Sequence, residues 1–171
     1  MSGIETVNFP AGTIIFKEGD QPDGVYFILS GGVEISRTEA GAKVPLAKLG
    51  TDAVFGEMAL IDNQPRSATV TTIAPTQCMK GTKDNFNALM NSIDPEVKSA
   101  MQAMVTVVRE KNKTRKAQMT QADVATLNAL KQQAADLQKQ IMSNAALLQK
   151  IKSLNPFVNG VFNSLLRLIL A

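Results

Sequence analysis

Residues 55–70 read Phe55-Gly56-Glu57-Met58-Ala59-Leu60-Ile61-Asp62-Asn63-Gln64-Pro65-Arg66-Ser67-Ala68-Thr69-Val70. Gly56 lets the backbone approach a ligand closely. Glu57 supplies a carboxylate suited to a sugar hydroxyl. Residues 57–61 are helix formers, and residues 62–65 break the turn. The first N–H groups of a helical turn lack intrahelical acceptors, which suits an anion. Arg66 follows, at the head of a strand expected over residues 68–73, and its guanidinium fork binds phosphate at two points. Carboxylate, guanidinium and N–H groups together point to a phosphorylated sugar. The bland alternative is an ion pair between Glu57 and Arg66 across the loop, with no role beyond local order.

Upstream of this stretch the pattern is that of a β protein. Short apolar runs at residues 13–16, 25–29 and 33–35 are bounded by Gly, Pro and Asp, as is the run at 68–73. Runs of that length, with turns every few residues, argue for a sandwich or barrel. Ten of the 11 glycines lie at or before Gly81, and residues 96–155 contain neither Gly nor Pro. A long segment without either breaker is a helical signature. The change of character falls near residues 82–94. Charge follows the same division. Residues 1–96 carry 7 Lys/Arg and 12 Asp/Glu, a net −5, whereas residues 97–171 carry 11 and 3, a net +8.

The segment from residue 55 to 70 resembles the phosphate-binding cassette of the cyclic nucleotide-binding domain family. That pattern runs F-G-E, an apolar residue, A-L, a short spacer, then P-R, a small residue, A, T or S, and V, and every position is matched. Two earlier segments, Gly12 to Asp20 and Gly24 to Gly31, resemble the family's first strands and turns. Pro22 departs from the small residue common there. The resemblance spans about residues 7–113. It implies an α+β fold, a jelly-roll-like β-roll of eight strands with flanking helices, followed here by a long helical region. It implies that Glu57 accepts from a ribose 2′-hydroxyl and that Arg66 binds the cyclic phosphate, with Gly56, Met58, Ala59, Ser67 and Ala68 lining the cradle. Ser67 leans toward cyclic AMP over cyclic GMP. Arg66→Ala is expected to abolish binding and leave the fold intact.

The family's last helix closes over the base as a lid. Here it is expected to start at Asp94-Pro95-Glu96, with Asp94 as cap and Pro95 in the first helical position. Arg109 and Asn112 fall where some relatives contact the purine, so both join the candidate ligand set. Val97, Met101, Met104, Val105 and Val108 recur at helical spacing and read as core. The expected division is residues 1–115, a nucleotide-binding domain with its lid, and residues 116–171, a helical assembly or effector region.

No helix-turn-helix follows the lid. Instead Leu127, Leu130, Ala134, Leu137, Ile141, Asn144, Leu148 and Ile151 step alternately by 3 and 4, a heptad seam. Residues 120–123 resemble a helix start. A seam of this kind suits a copy of itself, the β-roll or a partner; self-pairing into a coiled coil is the first expectation, with a buried Asn144 fixing the register. Beyond Asn155-Pro156 a second amphipathic helix is predicted, with Phe157, Val158, Val161, Phe162, Leu165, Leu168 and Ile169 on one face. It suits a helical bundle, or else a membrane surface. Lys111, Lys113, Arg115 and Lys116 form a basic run with no interleaved aromatic residue, so nucleic acid is not the expected partner.

Composition narrows the function. There is no histidine, and Cys78 is the only cysteine among the 171 residues. Ser-His-Asp and Cys-His chemistry and His- or Cys-based metal cages are thereby removed. No catalytic residues, metal or cofactor are expected. No apolar run approaches the roughly 18 residues of a membrane span, and residues 1–10 carry no secretory pattern, so a cytoplasmic protein is expected. The reading is a non-enzymatic receptor for cyclic AMP, or cyclic GMP, that regulates assembly of a homo-oligomer or an effector protein. The alternatives are an assembly protein stabilised by nucleotide and a nucleic-acid-binding regulator.

Overall fold

The computed structural model describes residues 4–115 and 121–170. It forms two compact units, one ending at Ser92 and the other beginning at Ile93.

The first unit is a β-roll of two four-stranded antiparallel sheets. Its strands are β1 (Ile4–Phe9), β2 (Ile14–Phe16), β3 (Gly24–Ser30), β4 (Gly32–Glu39), β5 (Ala42–Gly50), β6 (Val54–Phe55), β7 (Thr69–Thr72) and β8 (Thr76–Thr82). One sheet has the order β1-β8-β3-β6 and the other β2-β7-β4-β5. The four strands expected from apolar runs are β2, β3, β4 and β7. The other four lack a clear apolar run. β5 even contains Pro45, which is tolerated because β5 is an edge strand and the β4–β5 register shifts beside Ser36, its partner.

The core between the sheets holds Tyr26, Ile28, Val33, Phe55, Val70 and Cys78, all nearly or wholly buried. Tyr26 stacks on Phe55 with ring centroids 5.1 Å apart, and Phe16 tilts against both. Burial pushes the Cys78 thiol up to about 11, so it behaves as a packing group. Two helices complete the unit, the single turn α1 (Met58–Ile61) and α2 (Lys83–Ser92), which packs on β3 and β8.

The second unit contains α3 (Pro95–Arg115), α4 (Gln121–Ser143), α5 (Ala145–Lys152) and α6 (Pro156–Leu170). As expected, α3 begins at Pro95, with Asp94 accepting from the Glu96 N–H at 2.9 Å. Its apolar face, Val97, Met101, Met104, Val105 and Val108, is buried, and α4 and α6 pack against the helix. Of the predicted face of α6, Val158, Val161, Phe162, Leu165 and Ile169 are buried, and Phe157 and Leu168 are half-buried.

One expectation is corrected here. The heptad seam is not one helix. It breaks at Asn144, whose extended backbone (φ −89°, ψ 94°) ends the run and whose side chain accepts from the Leu147 N–H at 2.9 Å. A polar residue placed to fix a register instead caps a new helix. The apolar stripe is covered in part by this chain: Ala134 and Ile141 of α4 and Leu147 and Ile151 of α5 are buried, whereas Leu130, Leu137 and Leu148 are half-buried. Leu147 takes the buried position expected of Leu148, because the helix restarts. Of the two settings expected for α6, the helical bundle is the one observed, with α6 packed on α3 and α4. Among the described residues no helix is long and apolar enough to cross a membrane. In the basic run, Lys111 donates to the Ile169 carbonyl at 2.9 Å, a cation at the end of α6. The side chains of Lys113, Arg115, Lys116, Leu127 and residues 120–123 lie outside those described.

Candidate functional site

The cradle is built wholly from residues of the first unit. β6 ends at Phe55 in the core, and the chain turns at Gly56 with φ +84°. A Cβ there would also lie 2.7 Å from Arg66 Nη1, so glycine is required on two counts. Glu57 opens α1, and its carbonyl accepts from the Leu60 and Ile61 N–H groups, both at 3.0 Å. Asn63 takes a left-handed conformation, φ +52°, and returns the chain toward Arg66. The expected short helix and its break are therefore both present.

Arg66 is the centre of the site and is only 3 % exposed. Its Nη1 donates to the Gly56 carbonyl at 2.7 Å. Its Nη2 donates to the Gly24 carbonyl and to Asp23 Oδ1, each at 2.8 Å. The guanidinium lies over the Phe16 ring, 4.0 Å from its centroid. Its backbone is fixed as well, because the Arg66 N–H donates to the Asp20 carbonyl and the Gly19 N–H to the Arg66 carbonyl, both at 2.9 Å. After all these contacts the Nε–H is buried without a partner. A buried donor left unpaired costs of order 1–3 kcal/mol, and a fold that keeps one in a rigid setting marks that position for another acceptor.

Glu57 is 2 % exposed, and burial lifts its carboxyl to about 7, against the opposing pull of its own backbone N–H and of the Arg66 charge. Arg66 pairs with Asp23 rather than with Glu57. The bland reading of these two residues as a loop ion pair is therefore not the arrangement observed. Met58, Ala59 and Ala68 are buried, and Gly56 and Ser67 are half-buried. The cassette thus brings together seven of the nine expected residues. Arg109 and Asn112 lie in the other unit, on α3, both half-buried.

Sequence reasoning missed Asp23, Lys80 and Phe16 as parts of the site. Asp23 lies 43 residues before Arg66 in the chain, and its Oδ2 also accepts from Lys80 Nζ at 2.7 Å. Burial raises the Asp23 carboxyl, but hydrogen bonds and charge from Lys80 and Arg66 overcome this and hold it below the usual range. The signal available was an acidic residue at the entrance of an otherwise apolar strand. Among the described residues no group of His, Cys, Asp and Glu is placed to hold a metal ion.

Comparison with known proteins agrees with this geometry. The family model of the cyclic nucleotide-binding domain matches residues 6–92. The chain is 33 % identical over 103 residues to a cAMP-dependent protein kinase regulatory subunit of Dictyostelium discoideum, covering 58 % of this chain and 32 % of that protein. It is 34 % identical over 82 residues to a CRP-like cAMP-activated global transcriptional regulator of Mycobacterium tuberculosis, covering 47 % and 37 %. Among solved structures it is similar to EAL enzyme Bd1971 in its cAMP and cyclic-di-GMP bound form, with a TM-score of 0.61 and 32 % identity, over 77 % of this chain and 33 % of that one. The cGMP bound form of the same enzyme gives 0.60 and 34 %, over 64 % and 30 %. The chain thus spans about a third of the length of each of these proteins.

Proposed function

The chain belongs to the cyclic nucleotide-binding domain family, and on that premise we propose that it is a non-enzymatic cytoplasmic receptor for a cyclic nucleotide, cyclic AMP in preference to cyclic GMP. The observation that carries the proposal is the Arg66 guanidinium, held by three oxygens and a ring while its Nε–H stays buried and unpaired. A phosphate oxygen is the acceptor such a donor suits, and a charge-assisted bond would form without reorganising the arginine. Glu57 accepts the ribose 2′-hydroxyl. Gly56, Met58, Ala59, Ser67 and Ala68 line the cradle.

In this reading α3 serves as the lid, and Arg109 and Asn112 meet the purine. Residues 1–115 are then the receptor, and residues 116–171 pass the signal to an effector protein or a second copy of the chain. Nucleotide acts by shifting the population of two helix arrangements that differ in affinity for it. Support for a regulatory role comes from relatives described as regulatory subunits and transcriptional regulators.

Calorimetric titration of the full chain with cyclic AMP, cyclic GMP and cyclic 2′-deoxy-AMP tests this. Saturable binding of cyclic AMP, weaker binding of the deoxy analogue and loss of binding in Arg66→Ala are expected. A chain that binds neither cyclic nucleotide is no receptor of this class. Light scattering with and without nucleotide reports whether a second copy reads the signal.

A further inference from the structure

Asp23 divides its two oxygens between two cations. Oδ1 accepts from Arg66 Nη2 at 2.8 Å, and Oδ2 accepts from Lys80 Nζ at 2.7 Å. The side-on edge of an arginine presents Nε–H and one Nη2 hydrogen in parallel, a fork that a single carboxylate fills with both oxygens. Asp23 Oδ1 and the Gly24 carbonyl share Nη2, and the Nε half of the fork is the buried donor without a partner. Lys80 is well placed to cause this. It stands on β8 opposite Tyr26 of β3, three residues after Asp23, and its ammonium lies 5.7 Å from the Tyr26 ring centroid. The Lys80 side chain is 24 % exposed and that of Asp23 55 %, so only the Lys80 side of the pair is shielded from water.

We propose that Lys80 is a positioning residue for the phosphate site: by holding Asp23 Oδ2 it stops Asp23 from closing on both nitrogens of Arg66, and so reserves the Arg66 Nε–H for the ligand phosphate. Charge points the same way. Arg66 and Asp23 alone cancel, leaving nothing for a phosphodiester anion, and Lys80 restores one positive charge. The low Asp23 carboxyl, held down by Lys80 first and Arg66 second against burial, is consistent with a carboxylate shared between two cations.

The inference rests on the cyclic nucleotide reading, and the experiment separates the two. Cyclic AMP is titrated into the full chain as wild type, Lys80→Met, Lys80→Arg, Asp23→Asn and the Lys80→Met/Asp23→Asn pair, with Arg66→Ala as reference. Lys80→Met is expected to weaken binding about fivefold, and Lys80→Arg to stay within about twofold of wild type. In the Asp23→Asn background no carboxylate remains to close on Arg66, so removing Lys80 changes affinity by less than about twofold. The Sp and Rp phosphorothioates of cyclic AMP give a readout that does not need Asp23→Asn to fold. Lys80→Met shifts their affinity ratio, whereas simple loosening of the strand lowers both equally. An equal loss with and without Asp23, an unchanged phosphorothioate ratio, or no effect of Lys80→Met overturns the proposal. Wild type that binds no cyclic nucleotide, or Arg66→Ala that binds as wild type does, overturns the reading beneath it instead.

Discussion

Arg66 in the β-roll and Lys150 in the helical unit each hold acidic partners, yet they are different kinds of interaction. Arg66 is 3 % exposed and is fixed by Asp23 and two backbone carbonyls. Lys150 sits at the surface, 2.8 Å from Glu96 and 3.2 Å from Asp94, where α5 meets the start of α3. A buried cation must be given partners before folding is favourable, and breaking such a set leaves charge stranded in a poor solvent. A surface pair exchanges water for carboxylate at almost no net gain. The two regions therefore place their information differently. The β-roll carries its candidate site in buried polar groups that local sequence order announces. The helical unit carries its architecture in apolar spacing, which fixes that a face is buried and leaves open what covers it.

The largest effect expected from that contrast is at Arg66. Arg66→Ala should weaken cyclic AMP binding at least about tenfold and, against the sequence expectation of an intact fold, destabilise the β-roll by about 1–3 kcal/mol. Asp23 and two carbonyls lose their donor together. Tyr26 is the only tyrosine and there is no tryptophan, so tyrosine fluorescence in urea reads the β-roll alone. An unchanged midpoint would place Arg66 with the surface pairs.

The matching change in the helical unit is Leu165→Ala. Leu165 is wholly buried on α6, and its truncation should cost about 2–5 kcal/mol. Helical circular dichroism should report the loss while tyrosine fluorescence keeps its wild-type midpoint. A protein as stable as wild type would mean that this face is not the core of the unit.

Glu57 sharpens the comparison through pH. Its folded value of about 7 lies above the model-compound value of 4.5. The folded state therefore holds the proton more tightly, and the contribution of this group to stability is fully present below about pH 4.5 and is lost as pH rises through 7. The shift corresponds to about 3 kcal/mol at most. Glu57→Gln should remove this slope and raise the tyrosine-monitored midpoint at pH 8. A wild-type midpoint that does not decline between pH 5 and 8 would show that the carboxyl is not desolvated.

The smallest effect is one of sign. If residues 121–151 formed one continuous heptad helix, Asn144→Ala would remove a polar residue from an apolar seam and stabilise it. As the cap of α5, Asn144→Ala should instead destabilise the helical unit by about 1 kcal/mol. The direction of the melting shift decides between the two.

The cassette was legible because its parts lie within 16 consecutive residues and each does a local task. Gly56 makes a left-handed turn, residues 58–61 a helical turn, and Arg66 follows the break. Asp23 showed only as an acidic residue before an apolar strand, and nothing near it or Lys80 shows that the fold brings them to Arg66 from 43 and 14 positions away. Strands β1, β5, β6 and β8 were missed for a related reason. Pairing partners rather than their own apolar runs hold them in place.

By itself the sequence determined the division into a glycine-punctuated β half and a helical half, the cassette with Glu57 and Arg66, and the faces of α3 and α6 that turn inward. Each of these follows from backbone conformation or periodicity, which neighbouring residues set. Tertiary structure alone decided that Arg66 answers to Asp23 rather than Glu57, that Lys80 joins them, and that the heptad run breaks at Asn144. Those outcomes depend on which distant groups become neighbours once apolar surface leaves water, and hydrophobic burial is non-directional: it drives a face inward without naming its partner.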